Sequence, residues 1–160
     1  MNQLYLDDLD TLLAASRADT VLLIDPHQHL PSGWPGKDYR VTLLDADAAL
    51  ALDTEIRYDL AVVLQTVETL PYRRAVNLLA RLRDVNSRRL AAIVPIGDNW
   101  PDQTSHWRID DLLGLGMSLL ARYRIEDRAL HLYHYTIESY KPTPEWFNSR
   151  HWAHPENWQP

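Results

Sequence analysis

The sequence predicts a single three-layer α/β domain: a mainly parallel sheet of about six strands, finished at its C-terminal side by an antiparallel hairpin. Three observations predict it. Short, wholly apolar runs at residues 21–24, 60–64 and 90–96 have the composition of strands buried on both faces, as in parallel sheets. Between the last two runs lies a segment of helical period, and after them come two strand-like segments around the polar stretch 124–128. The 160 residues, 46% hydrophobic and 24% charged, suit one domain of ordinary size. A full eight-stranded α/β barrel needs roughly 200 residues or more.

Taken in order, Tyr5, Leu9, Leu12 and Leu13 recur at i, i+4, i+7 and i+8, while Asp7, Asp8 and Asp10 sit near the N-terminal end of the segment. The helix dipole favours negative charge there, and an opening amphipathic helix follows. The run 21–24 ends at Asp25-Pro26, where proline cannot donate to a ladder, so the first strand stops. Pro26, Pro31, Gly33, Pro35 and Gly36 then punctuate the next 14 residues too heavily for a helix. An irregular crossover is expected. Residues 40–44 supply a second strand ending at Asp45, and the alanine-rich stretch 46–52 a short helix.

The strand at 60–64 precedes a helix whose apolar positions Ala75, Leu78, Leu79 and Leu82 fit the 3.6 period. Pro71 is tolerated in its first turn and Asn86 is a candidate stop. The strand at 90–96, a short helix through Ile109, Leu112 and Leu113 ended by Gly114 and Gly116, and strands at 117–123 and 129–140 complete the domain, taken as residues 1–141. The remaining residues, 142–160, hold four Pro and three Trp. Trp146, Phe147, Trp152 and Trp158 would bury large areas, so this tail is expected to pack on the domain or on a partner subunit, a homodimer included.

Composition removes several functions. With no Cys, disulfide scaffolds, cysteine nucleophiles and thiolate metal sites are excluded. A net charge of −6 is the wrong sign for general nucleic-acid binding. The first 13 residues lack a basic leader, and no apolar run approaches roughly 18 residues, so a soluble, cytoplasmic protein without a membrane segment is expected. Neither a G-x-S-x-G nucleophile turn nor a phosphate-binding P-loop occurs.

In sheets of this kind ligands sit beyond the carboxyl ends of the strands near the topological switch, which directs attention to the residues after Ile24, Leu44 and Leu64. The segment Tyr58-Asp59-Leu60-Ala61-Val62-Val63-Leu64-Gln65-Thr66-Val67-Glu68-Thr69-Leu70-Pro71 resembles the middle of class I S-adenosylmethionine-dependent methyltransferases, where a "YDLVV" strand is followed by "LEHLP" and a helix. Glu68, Leu70 and Pro71 match, and Thr69 stands where that pattern often has His. The resemblance implies a reduced, Rossmann-like αβα domain of a bacterial protein, with S-adenosylmethionine as the cofactor to consider. The residues that would face it are Asp25, His27, Asp45 and Gln65.

Two departures from that family are visible. Its first strand runs into a glycine-rich turn that lets backbone approach the cofactor, whereas here Ile24-Asp25 runs into Pro26-His27-Gln28-His29-Leu30, with no glycine before Gly33. Asp45 lies in the place of the ribose-binding acid, yet the 13 residues between it and Asp59 cannot easily hold the usual extra strand and helix, so one strand of the seven is expected to be missing. A strand-ending Asp is also a common turn starter, and an acid such as Glu68 near a helix start has a sufficient reason in the dipole.

The string Asp25-Pro26-His27-Gln28-His29 resembles the strand-ending D-x-H-x-H of amidohydrolase-type metal enzymes. That implies His27 and His29 as ligands of a divalent metal, although three or four protein ligands are the norm. His131 and His134, three apart on a strand, should face opposite sides of the sheet, and His151 and His154 could meet only in a helical tail. Arg74, Arg81 and Arg88 recur every seven residues, most simply as a solvated helix face. The leading expectation is a methyltransferase-like domain with an altered or lost cofactor site and a binding or assembly role. An active S-adenosylmethionine-dependent methyltransferase is the alternative, and a metal-dependent hydrolase using His27 and His29 the second.

Overall fold

Residues 4–137 are described by the computed structural model. The opening helix α1 (Leu6–Ser16) buries Leu9 and Leu13 and ends at Arg17 in the left-handed conformation. Strand β1 (Thr20–Ile24) is followed by an irregular crossover, β2 (Arg40–Leu43) and α2 (Ala46–Leu50). Then come β3 (Tyr58–Leu64), a one-turn 3₁₀ segment (Val67–Thr69), α3 (Tyr72–Arg81) and β4 (Ser87–Ile96). Helix α4 (Ile109–Gly114) and the hairpin β5 (Ser118–Ile125) and β6 (Arg128–Thr136) complete the described elements.

The six strands form one sheet in the order β2-β1-β3-β4-β6-β5. β2, β1, β3 and β4 are mutually parallel, and β6 runs antiparallel to both β4 and β5. From β1 the chain turns outward to β2, then crosses back to β3, so the switch point lies between β1 and β3. Period-2 alternation sends Leu22, Ile24, Ala61, Val63, Ala92, Val94 and Tyr133 to one face, where α2, α3 and α4 cover them. Val21, Leu23, Leu60, Val62, Ile93, Leu130 and Leu132 face the other way, under Tyr5, Leu9 and Leu13 at the start of the chain and Leu30 from the crossover. Three layers result, one of them built from a helix and an irregular segment.

Helix α3 starts directly after Pro71, whose fixed φ of −54° suits that place. Its last turn widens into a π-turn (Leu82–Asn86) that carries buried Leu82 and Asn86 into β4. Asn86 Nδ2 donates to the carbonyls of Asp53 and Ile56 at 2.9 and 2.7 Å, and Ser87 Oγ to Leu82 O at 2.6 Å. That widened turn is why β4 begins at Ser87, three residues before the apolar run. The hairpin turn is likewise tighter than the polar stretch 124–128: only Glu126 and Asp127 separate the strands, and Glu126 adopts φ +57°. Of the segment expected to be strand at 129–140, residues 138–140 lie outside the described residues, as does the tail at 142–160. Among the described residues no helix is long and apolar enough to cross a membrane.

Candidate functional site

At the switch point the first strand delivers Asp25, which is only 4% exposed. Its carboxylate turns back on the chain that follows. Oδ1 accepts from the backbone N–H of His29 at 2.9 Å and lies 3.0 Å from His29 Nδ1, while Oδ2 accepts from the N–H of Leu30 at 2.9 Å. The turn is completed by Gln28, whose N–H donates to Asp25 O at 3.1 Å and whose φ is +53°. A buried carboxylate demands such donors, and the local sequence supplies them. Leu30 then enters the core.

From the other wall of the crevice comes Gln65, which follows β3 with φ +40° and donates its backbone N–H to Ile93 O at 3.1 Å. Non-glycine residues in the left-handed region are uncommon, and two of them, Gln28 and Gln65, stand at the ends of the two switch-point strands. Tyr5, buried at the head of α1, fills the space between. Burial pushes its hydroxyl up to about 12, the charge of Asp25 adds to that, and a hydrogen bond with the Gln65 side chain opposes it.

The other candidate residues lie apart from this cluster. His27 is exposed, its ring 5.7 Å from that of His29 and nearly perpendicular to it. Asp45 is also exposed and N-caps α2, its Oδ1 accepting from Ala48 N at 2.7 Å. Among the described residues no group of three or more His, Asp or Glu is placed to hold a metal ion. His131 and His134 face opposite sides of the sheet, as their spacing requires: His134 lies with Leu12 and Ala15 on the α1 side, His131 with Tyr133 on the other. Three basic residues along α3 and beyond meet partners from the chain itself: Arg74 reaches Asp47, Arg81 the carbonyl of Leu52, and Arg88 lies 3.9 Å from Asp59. His151 and His154 lie outside the described residues.

Beside Asp25 opens a cavity of about 480 Å³, lined by Leu23, Gln28, Leu30, Trp34, Val41 and Leu43 among others. It exists because the irregular crossover covers the β1–β2 edge only in part: Val41 and Leu43 are 39% and 60% exposed. A volume of this size falls within the range of small-molecule sites.

Sequence reasoning missed the burial of Glu68. An acid serving only the helix dipole would be solvated, yet Glu68 is 7% exposed and sits on the 3₁₀ turn rather than in α3. Burial pushes its carboxyl up to about 7, partly opposed by its own backbone N–H, and Oε2 finds no partner among the described residues. Its carbonyl also anchors the loop after β4, accepting from Thr104 N and Ser105 N at 2.8 and 3.1 Å. The available signal was its apolar company, Val67 before it and Leu70 after it.

A family model described as "Family of unknown function (DUF6231)" matches residues 3–160. No curated protein matches the sequence. Solved structures that match are S-adenosylmethionine-dependent methyltransferases in fold. The methyltransferase domain of bacterial CtHen1-CN matches with a TM-score of 0.58 at 14% identity, over 85% of this chain and 99% of that one. The magnesium protoporphyrin IX methyltransferase of Synechocystis PCC 6803 with bound SAH gives 0.53 at 12%, over 80% of each chain. A Burkholderia thailandensis 1,6-didemethyltoxoflavin-N1-methyltransferase, with bound 1,6-didemethyltoxoflavin and S-adenosylhomocysteine, gives 0.52 at 15%, over 81% and 77%. At these identities the likeness is one of fold.

Proposed function

The chain belongs to the DUF6231 family, and within a methyltransferase-like fold we propose that it is a binding or assembly domain whose adenosyl-cofactor site has been remodelled. The observation that carries this reading is the use made of Asp25. Both of its oxygens are spent on the backbone of His29 and Leu30, with Leu30 and Tyr5 packed where a glycine turn would leave room. Tested against an adenosyl group held beside a glycine-rich turn, the residues present do not fit. The turn carries side chains at every position from Pro26 to Ser32, and Asp45 already caps a helix. The binding surface is instead the cavity beside the crossover, continuous with exposed Val41 and Leu43 on the edge strand. The Trp-rich tail, 142–160, is the second contact, toward the domain or a partner subunit.

Calorimetry with S-adenosylmethionine and S-adenosylhomocysteine tests the cofactor half of the proposal, which expects no heat at millimolar ligand. Saturable binding of either compound refutes it. Self-association measured by sedimentation tests the other half: it should weaken when Trp152 and Trp158 are changed to Ala, and a monomer indifferent to both changes counts against assembly.

A second reading, an active methyltransferase holding its cofactor unconventionally, draws support from the left-handed backbone of Gln65, since strained residues gather at functional sites. The same calorimetry decides between the two.

A further inference from the structure

A groove of about 360 Å³ lies on the β5–β6 hairpin, lined by Arg122, Tyr123, Arg124, Asp127, Ala129 and His131. Because β6 runs against β4, this part of the hairpin lies at the carboxyl end of the parallel strands: His131 pairs with Val94 and Ala129 with Ile96. Register fixes which side chains meet. Arg122 stands directly across from His131, and Arg124 across from Ala129, so both arginines and His131 project from the face that buries Tyr133.

These two arginines differ from six others in the chain. Arg40, Arg74, Arg83, Arg88, Arg108 and Arg128 each face a carboxylate within 4 Å. Among the described residues Arg122 and Arg124 form no ion pair, and Asp127 lines the groove without pairing to either. Two like charges side by side on one strand repel, in a protein whose net charge is −6. A bound anion would remove that repulsion.

Behind them, Tyr133 is fully buried, and burial pushes its hydroxyl up to about 12, so it keeps its proton. Its oxygen lies 3.1 Å from His131 Nδ1. The two groups share one hydrogen bond, which fixes the ring at the back of the groove. His131 is 5% exposed, and burial, then the charge of Arg122, hold its pKa below the ordinary value, keeping the ring neutral. Two arginines and one neutral imidazole thus line one groove.

We propose that this groove is an anion site for a phosphate group, carried by a small phosphate ester or present as inorganic phosphate. Arg122 and Arg124 supply the charge and the fork geometry that suits tetrahedral oxyanions, and the His131 ring lines the same groove. The site is independent of the remodelled crevice. Two strands, β3 and β4, separate it from β1, and it opens on the opposite face of the sheet from the cavity beside Asp25.

The test titrates the full chain with inorganic phosphate, glycerol phosphate and citrate, each at constant ionic strength made up with chloride, while NMR follows the His131 ring. Saturable shifts of that ring are expected with phosphate, and affinity should fall at least tenfold in Arg122→Gln and in Arg124→Gln. Arg57→Gln, an equal charge change on an exposed residue elsewhere, should leave it unchanged. Tighter binding of glycerol phosphate assigns the site to an ester, and equal binding to the free ion. Citrate binding as tightly as phosphate, shifts that never saturate, or an affinity that Arg57→Gln lowers as much as the groove variants would overturn the proposal.

Discussion

Changing Glu68 to Gln should make the protein more stable at alkaline pH and nearly neutral in effect near pH 5. The wild-type carboxyl titrates from an ordinary 4.5 in the unfolded chain to about 7 in the folded one, chiefly because it is buried, with Oε2 unpartnered. The folded state therefore holds the proton more tightly. Stability contributed by the neutral acid is fully present below the unfolded value and is lost as pH rises through the folded value near 7. The rise from 4.5 to about 7 corresponds to roughly 3 kcal/mol in total, of which roughly 2 to 3 kcal/mol falls between pH 5 and 8.5. Gln copies the shape and neutrality of the protonated acid. Urea unfolding of both proteins at pH 5 and 8.5 should thus show the variant gaining that amount on wild type between the two pH values. Taking the difference cancels other titrations, including that of His131, whose lowered pKa has the opposite sign: its stability is present at higher pH and lost as pH falls. A constant difference across the pH range would refute the burial argument.

Asp25→Ala removes the acceptor of two backbone N–H groups, one of them on buried Leu30, and should cost about 2 to 4 kcal/mol; amide exchange at His29 and Leu30 should accelerate with it. Asp45→Ala should cost only about 1 kcal/mol by denaturant unfolding, because the side chain caps an exposed helix end. A much larger loss would show a role beyond the cap. Trp107, fully buried, donates Nε1–H to Ser105 Oγ at 2.9 Å and lies against Tyr72, so Trp107→Ala should cost about 3 to 5 kcal/mol in the same assay.

The order of elements was legible because β1, β3 and β4 are each built on an apolar run and most boundaries carry their own punctuation. Asp25-Pro26 ends β1, Pro71 opens α3, and Gly114 closes α4. The shortened link between Asp45 and Asp59 foretold six strands in place of seven, and the sheet leaves β2 at its edge. What the pattern could not carry was tertiary in origin. Arg88 reads as part of a solvated helix face, yet it lies in β4, which begins at Ser87 because Ser87 Oγ closes the preceding turn onto Leu82 O while Asn86 ties that turn to the carbonyls of Asp53 and Ile56. Asp25, Asp45 and Gln65 all lie at the carboxyl ends of strands, as expected, but only Asp25 and Gln65 converge. Tyr5, which brings them together, belongs to a helix read solely for its packing. Glu68 is also held by the loop at 97–107, whose Thr104 and Ser105 N–H groups donate to its carbonyl, a contact that its apolar neighbours do not announce.

Central to this account is that the crevice between β1 and β3 is filled by the chain's own Asp25 turn, Leu30 and Tyr5. Crystals soaked in millimolar S-adenosylhomocysteine measure this most directly: the turn at 25–30 should keep its hydrogen bonds, with no nucleoside density between Asp25 and Gln65. A homocysteine-linked adenosine seated there, with the Asp25 turn opened around it, would contradict the account.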